Sequence, residues 1–174
     1  MKEYQIVIQG VAPLLQNRIE EMETGVKKRG DNRDSPEKCK DKLYTVGKVI
    51  CQPGIHIESA MIRTSGDIKF KGNKSFKELF RGNVFVKPDY IKHKIQKWEV
   101  HQSTVVIPST KGRINRYRPC FRKWELEFVI TVLDDRIKTD VLKLALDEAG
   151  RTQGLGDWRP RFGRFVVTKF QELM

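Results

Sequence analysis

The chain has 174 residues, with 34 Lys and Arg against 22 Asp and Glu, which leaves a net charge of +12. Apolar residues make up 39% and charged residues 32%, enough to bury one core under a large wet surface. No apolar run is long enough for a bilayer, the cysteines Cys39, Cys51 and Cys120 are too scattered for a disulfide frame, and the basic excess favours polyanions, nucleic acid before membrane.

Tyr4, Ile6 and Ile8 alternate with Gln5, Val7 and Gln9, so the first element is predicted as a half-buried strand. This opening lacks the continuous apolar stretch of a signal peptide, and with the unpaired cysteines it points to the cytoplasm. Gly10-Val11-Ala12-Pro13 ends the strand, and Leu14-Leu15-Gln16-Asn17-Arg18 follows as an apolar step with a polar, basic tip. Residues 20–41 are dominated by charge, Gly, Ser and Pro and read as a mobile loop. The charge run at 27–33 within it reads as a solvated face.

Val49-Ile50-Cys51 is a short strand before Pro53-Gly54. A helix follows, with Ile55, Ala60 or Ser59, and Ile62 or Met61 expected toward the core. An inserted region at about 66–97 carries the basic stretch 69–77 and a small strand, Val84-Phe85-Val86. Val100 to Ile107 is β-rich. Lys111, Arg113, Arg116, Arg118, Arg122 and Lys123 then crowd a segment without one acid, in which Tyr117 and Phe121 interleave. Trp124, Leu126, Phe128, Ile130 and Val132 give the clearest strand alternation. Thr139 is the expected N-cap of a helix with Val141, Leu142, Ala145, Leu146 and Ala149 on one face, and Gly150 its expected stop. The run Phe165 to Phe170 closes the pattern as a strand. The order reduces to βαββαβ, an α+β, ferredoxin-like plan that RNA-recognition (RRM-like) domains also use, in a single domain over 1–174.

Between the last helix and strand lies Gly154-Leu155-Gly156-Asp157-Trp158-Arg159-Pro160-Arg161-Phe162-Gly163-Arg164-Phe165. Glycines allow close backbone approach, arginines offer rigid charged forks for phosphate, and aromatic faces stack bases. Arg151, Gly154, Gly156, Trp158, Arg159, Arg161 and Arg164 therefore form the first expected nucleic-acid contact. The second is the basic segment with Lys111, Arg113, Arg116, Tyr117, Arg118, Arg122 and Lys123, where cations alternate with stacking rings. Asn17 and Arg18 add a third. Asp157 is placed to pair with Arg159 or Arg161, or to accept loop N–H groups. The two large patches are expected side by side on a small sheet, as one anion-attracting trough.

The two ends together resemble the RAMP (repeat-associated mysterious protein) superfamily of CRISPR-associated proteins. The resemblance rests on Gly154-x-Gly156 with Arg159, Arg161 and Gly163-Arg164-Phe165 before the last strand, and on the opening strand running into Pro13-Leu14-Leu15-x-Asn17-Arg18. The second feature is similar to the start of the backbone subunits that line a guide RNA. The resemblance implies ferredoxin-like structure and binding of single-stranded RNA or DNA along its phosphates. It also implies self-association into a filament or assembly with other RAMP subunits. The chain is short for a backbone subunit, which points to a stand-alone relative, for example from a phage or prophage.

Support for catalysis is thin. His56-Ile57-Glu58 has the H-x-E form of a zinc deaminase, but no Pro-Cys-x-x-Cys follows, and the cysteines lack zinc spacing. No metal and no cofactor is expected. Some RAMP relatives cut RNA with a histidine or a loop aspartate, which makes His56, Asp31 and Asp34 the residues to test. The expectation is a non-enzymatic protein binding single-stranded nucleic acid. Its rivals are a metal-independent endoribonuclease and a protein-interaction subunit or inhibitor of a CRISPR-type complex.

Overall fold

Alternation along the first strand sets the architecture in the computed structural model, which describes residues 1–18 and 34–174. β1 (Lys2–Gly10) buries Tyr4, Ile6 and Ile8 completely. β2 (Leu14–Leu15) follows at once. Residues 19–33, with Asp31 and the 27–33 charge run, lie outside the described residues. Within the rest of the segment expected as a loop, Glu37–Lys42 forms a 3-10 helix with Cys39 buried. A small hairpin, β3 (Thr45–Val46) and β4 (Val49–Pro53), leads into helix α1 (Gly54–Thr64).

The buried face of α1 is Ile57, Ala60, Met61 and Thr64, at helical spacing. Ile55, expected inside, is 63% exposed, because Gly54 already begins the helix and Ile55 falls on the opposite side. The inserted region holds more elements than the one small strand expected of it. β5 (Lys69–Lys71) and β6 (Lys74–Ser75) form a hairpin, α2 (Lys77–Asn83) buries Phe80, and β7 (Val84–Lys87) and β8 (Tyr90–Lys92) follow.

β9 (Glu99–Val106) and β10 (Arg113–Phe121) make a long ribbon, and β11 (Glu125–Val132) returns to the main sheet. α3 (Thr139–Glu148) starts one residue earlier than expected, with Lys138 at its N-cap, and the Thr139 hydroxyl is 2.9 Å from the Tyr4 hydroxyl. Gly150 does not stop the helix. Five residues, Ala149–Gln153, continue it as a π-helical turn that ends at Gly154. Gly150 serves packing instead: a Cβ there would sit 2.3 Å from the Phe165 carbonyl oxygen. β12 (Phe165–Leu173) completes the chain's elements.

The main sheet runs β12-β1-β11-β7, antiparallel throughout. With α1 before β7 and α3 before β12, this is the ferredoxin-like βαββαβ arrangement. Both helices cover the Tyr4-Ile6-Ile8 face, and the Thr64 hydroxyl donates to the Ala145 carbonyl at 2.8 Å to tie them together. A second sheet, β2-β10-β9, springs from the strap after β1, and a third joins β3-β4-β8. No helix among the described residues is long and apolar enough to cross a membrane.

Candidate nucleic-acid interface

Backbone hydrogen bonds seat the glycine loop on the strap after β1. The Asp157 N–H donates to the Leu15 carbonyl at 2.8 Å, and the Gly163 N–H to the Pro13 carbonyl at 2.7 Å. The Leu155 N–H closes the loop on the Gly163 carbonyl at 2.9 Å. Such approach leaves no room for a Cβ: one at Gly156 would lie 2.2 Å from the Leu15 carbonyl oxygen, one at Gly163 1.8 Å from that of Leu155. Both residues also have φ of 75°, a conformation glycine adopts freely.

The strand that receives the loop also receives the basic ribbon, since Leu15 pairs with Cys120 and Leu14 with Phe121. β2 therefore sets loop and ribbon side by side. They meet at Arg118, whose guanidinium is ion-paired with the Asp157 carboxylate and lies 4.8 Å from the Trp158 ring centroid. Trp158 stays 37% exposed, and Phe162 runs nearly parallel to it, centroids 6.1 Å apart. His101 packs edge-on against both rings, at 6.2 and 5.2 Å. Burial first, then the Arg118 and Arg122 charges, hold its imidazole below its ordinary pKa.

The expected contacts divide accordingly. Arg118 is only 11% exposed and spoken for, so it positions the loop and is not a free phosphate ligand. Asp157 pairs with it, not with Arg159 or Arg161. Arg122 pairs with Glu99 at 2.6 Å and Arg151 with Glu148 at 2.7 Å, both at the surface. Arg18, Lys111, Arg113, Lys123, Arg159, Arg161 and Arg164 are exposed, and none forms an ion pair with a described residue. Asn17 is exposed beside Arg18. Gly154 shapes the loop from within, being buried.

Strand alternation splits the ribbon's residues between two faces. Arg116 and Arg118, opposite Ser103 and His101, share the face toward the loop, whereas Arg113 and Tyr117, opposite Val106 and Gln102, share the other. Tyr117 therefore does not interleave with Arg116 and Arg118. Phe121, expected beside it, is fully buried and stacked on His93 at 4.5 Å.

Asp34 is also withdrawn from chemistry. Its carboxylate is 5% exposed, accepts from Lys42 Nζ at 2.7 Å and from the Tyr117 N–H at 3.0 Å, and has Arg116 at 4.0 Å. It fastens the 3-10 helix to β10. A nucleophile or base needs an approachable oxygen, and this one is enclosed.

Several residues of the site had no periodic signal in the sequence. Gln16, read as part of a polar tip, is fully buried with Gln52 and His93. Arg63, on α1, lines a cleft of about 260 Å³ with Gly156, Asp157, Trp158 and Arg159. His56 lies close enough to Arg159 for that charge, after burial, to depress its pKa. Among the described residues no group of His, Cys, Asp and Glu is placed to hold a metal ion. A shallower cavity lined by Phe70, Leu133 and Arg136 lies at the opposite end of the main sheet and gathers no stacked rings.

No protein-family model matches the chain, and no curated protein matches it. Among solved structures it is similar to the crystal structure of a CRISPR protein from Archaeoglobus fulgidus, with 12% identity and a TM-score of 0.47. That similarity covers 100% of this chain and 65% of the other, so the chain spans just under two thirds of that protein's length.

Proposed function

We propose that this protein binds single-stranded nucleic acid along the strip where the glycine loop meets the base of the β9–β10 ribbon. The observation that carries the proposal is the docking of the loop on β2, which brings Trp158 and Phe162 against His101 of the ribbon and leaves Arg159, Arg161 and Arg164 of the same loop exposed. Rigid cationic forks beside flat rings are what a flexible phosphate chain with unstacked bases requires. Arg159, Arg161 and Arg164 neutralise phosphates, the edges of Trp158 and Phe162 meet bases, and Arg118 keeps the loop in position. Phosphate contacts position a strand without reading its sequence, so the preference is for single strands and not for a sequence. RAMP-like descent, the reading suggested by the chain's two ends, belongs to the same proposal, as does self-association along the strand.

The test is a titration with fluorescent single- and double-stranded RNA and DNA at two salt concentrations, with the mass of the complexes measured in parallel. Single strands are expected to bind more tightly than duplexes, and the Arg159→Ala/Arg161→Ala protein to bind more weakly at unchanged thermal stability. A folded double variant with wild-type affinity refutes the assignment.

A further inference from the structure

The buried amides beneath the loop determine the proton position on a histidine. The Tyr44 backbone N–H, which can only donate, meets Gln16 Oε1 at 3.0 Å. The Cys51 carbonyl, which can only accept, meets Gln16 Nε2 at 2.8 Å. Together they fix which end of the Gln16 amide is which. Gln16 Nε2 gives its other hydrogen to Gln52 Oε1 at 3.0 Å. The Gln52 amide is thereby oriented too, and its Nε2 stands 2.8 Å from His56 Nδ1.

A ring nitrogen facing an N–H donor has to present its lone pair, so the proton of neutral His56 sits on Nε2. A second proton, at Nδ1, would set N–H against N–H. Burial and the charge of Arg159 press the same way. The remaining polar neighbour of the relay, His93, is 3.3 Å from Gln16 Nε2 and is held neutral by burial, its pKa lowered to about 4. The Tyr44 ring meets His56 edge-on at 5.4 Å.

His56 Nε2 has no partner among the described residues. Only His93 Nδ1 is both buried and unpartnered among their side-chain nitrogens and oxygens, so His56 Nε2 reaches solvent. Seven residues on, one face along α1, stands Arg63 in the cleft with Gly156, Trp158 and Arg159.

We infer that His56 is a strand-binding residue and not a proton-transfer residue: a neutral imidazole whose Nε2–H donates to a phosphodiester oxygen, oriented by the Gln16–Gln52 relay. The ligand half of this inference rests on the proposed function; the relay does not. A general base here would need its lone pair on the outward nitrogen, and the relay turns it inward.

Histidine-selective ¹⁵N NMR of the intact protein reads the tautomer and the titration midpoint directly, and oligonucleotide titration reads the ligand. The expected spectrum shows His56 protonated at Nε2, bare at Nδ1, and neutral at pH 7. In Gln52→Glu the carboxylate accepts from Nδ1, reversing the tautomer and raising the midpoint. If that variant does not fold, the wild-type spectrum alone decides the relay. His56→Ala is expected to bind a single-stranded oligonucleotide about tenfold more weakly, and His56→Gln, which keeps a donor, to recover part of the loss. An Nδ1–H tautomer or an imidazolium at pH 7 overturns the inference whatever the binding data show. Unchanged affinity in folded His56→Ala overturns the ligand. Cleavage of RNA in EDTA that His56→Ala abolishes overturns it in favour of a nuclease. A wild-type protein that binds no oligonucleotide refutes the proposed function and the ligand together, while the tautomer still judges the relay.

Discussion

Gly156 and Gly47 have nearly the same backbone, with φ of 75° and 60°, but different surroundings. A Cβ at Gly47 meets nothing within 4 Å, whereas one at Gly156 meets the Leu15 carbonyl at 2.2 Å. Gly47→Ala is expected to cost only the left-handed conformation, about 1–2 kcal/mol. Gly156→Ala adds the collision and breaks the loop's seat on β2, so its melting temperature falls further and its oligonucleotide affinity falls with it. Thermal melts of the two variants side by side check this, and equal shifts would show that docking contributes nothing. Asp34 gives a second residue-scale prediction. Burial would raise its pKa, but Lys42, the Tyr117 amide and Arg116 together hold it below the ordinary carboxylate value. A depressed folded pKa means stabilisation that is complete above the unfolded value, about 3.9, and is lost as pH falls through the folded one. Asp34→Asn is therefore expected to lower stability at pH 7 by about 1–2 kcal/mol, a gap that narrows below about pH 4. Denaturant melts at pH 7 and pH 3 decide it, and a constant gap rejects the ion pair as the cause.

At the scale of elements, strands with strict alternation were legible in the sequence and segments without it were not. In β1 and β11 the residues that face the helices, Tyr4, Ile6, Ile8, Leu126, Phe128 and Ile130, follow the alternation, although Val7 and Thr131 on the other face are buried as well. α3 was equally plain. What lay hidden were contacts between distant segments: Asp157 finding Arg118 across 39 positions, or Gln16 meeting Gln52. Nothing local in composition distinguishes a buried glutamine relay from a polar loop tip, or a cation in an ion pair from a free one. The ribbon shows the consequence. Its cations looked like one patch, but alternation puts Arg116, Arg118 and His101 on the loop's side and Tyr117 on the other. His101→Ala is accordingly expected to weaken oligonucleotide binding several-fold, through loss of packing on Trp158 and Phe162. Tyr117→Ala should leave affinity within about twofold. A reversal of that order, measured in folded proteins, would place the strand on the ribbon's outer face.

For the whole molecule, the fold itself suggests a rival place for nucleic acid. RNA-recognition domains of the same plan stack bases on aromatic residues of the open sheet face. Here the corresponding face carries Glu3, Gln5, Glu125 and Glu127, knit to Lys87, Lys94 and Lys169 by hydrogen bonds and ion pairs. Its exposed ring is Phe85, on the edge strand β7. Carboxylates repel phosphate, and lysines already paired release few counterions on binding. The glycine loop, by contrast, carries three exposed arginines, Arg159, Arg161 and Arg164, with no ion pair to a described residue. Counterion release makes this difference measurable, since each phosphate neutralised on a single strand contributes about 0.7 to the slope of log affinity against log salt. Arg159→Ala/Arg161→Ala is expected to flatten that slope by about 1.4 if each arginine holds one phosphate. Phe85→Ala/Lys169→Ala, on the sheet face, is expected to leave both slope and affinity unchanged. Should the sheet variant flatten the slope and the loop variant not, the strand lies on the sheet, and the glycine loop is a structural turn whose arginines face only water.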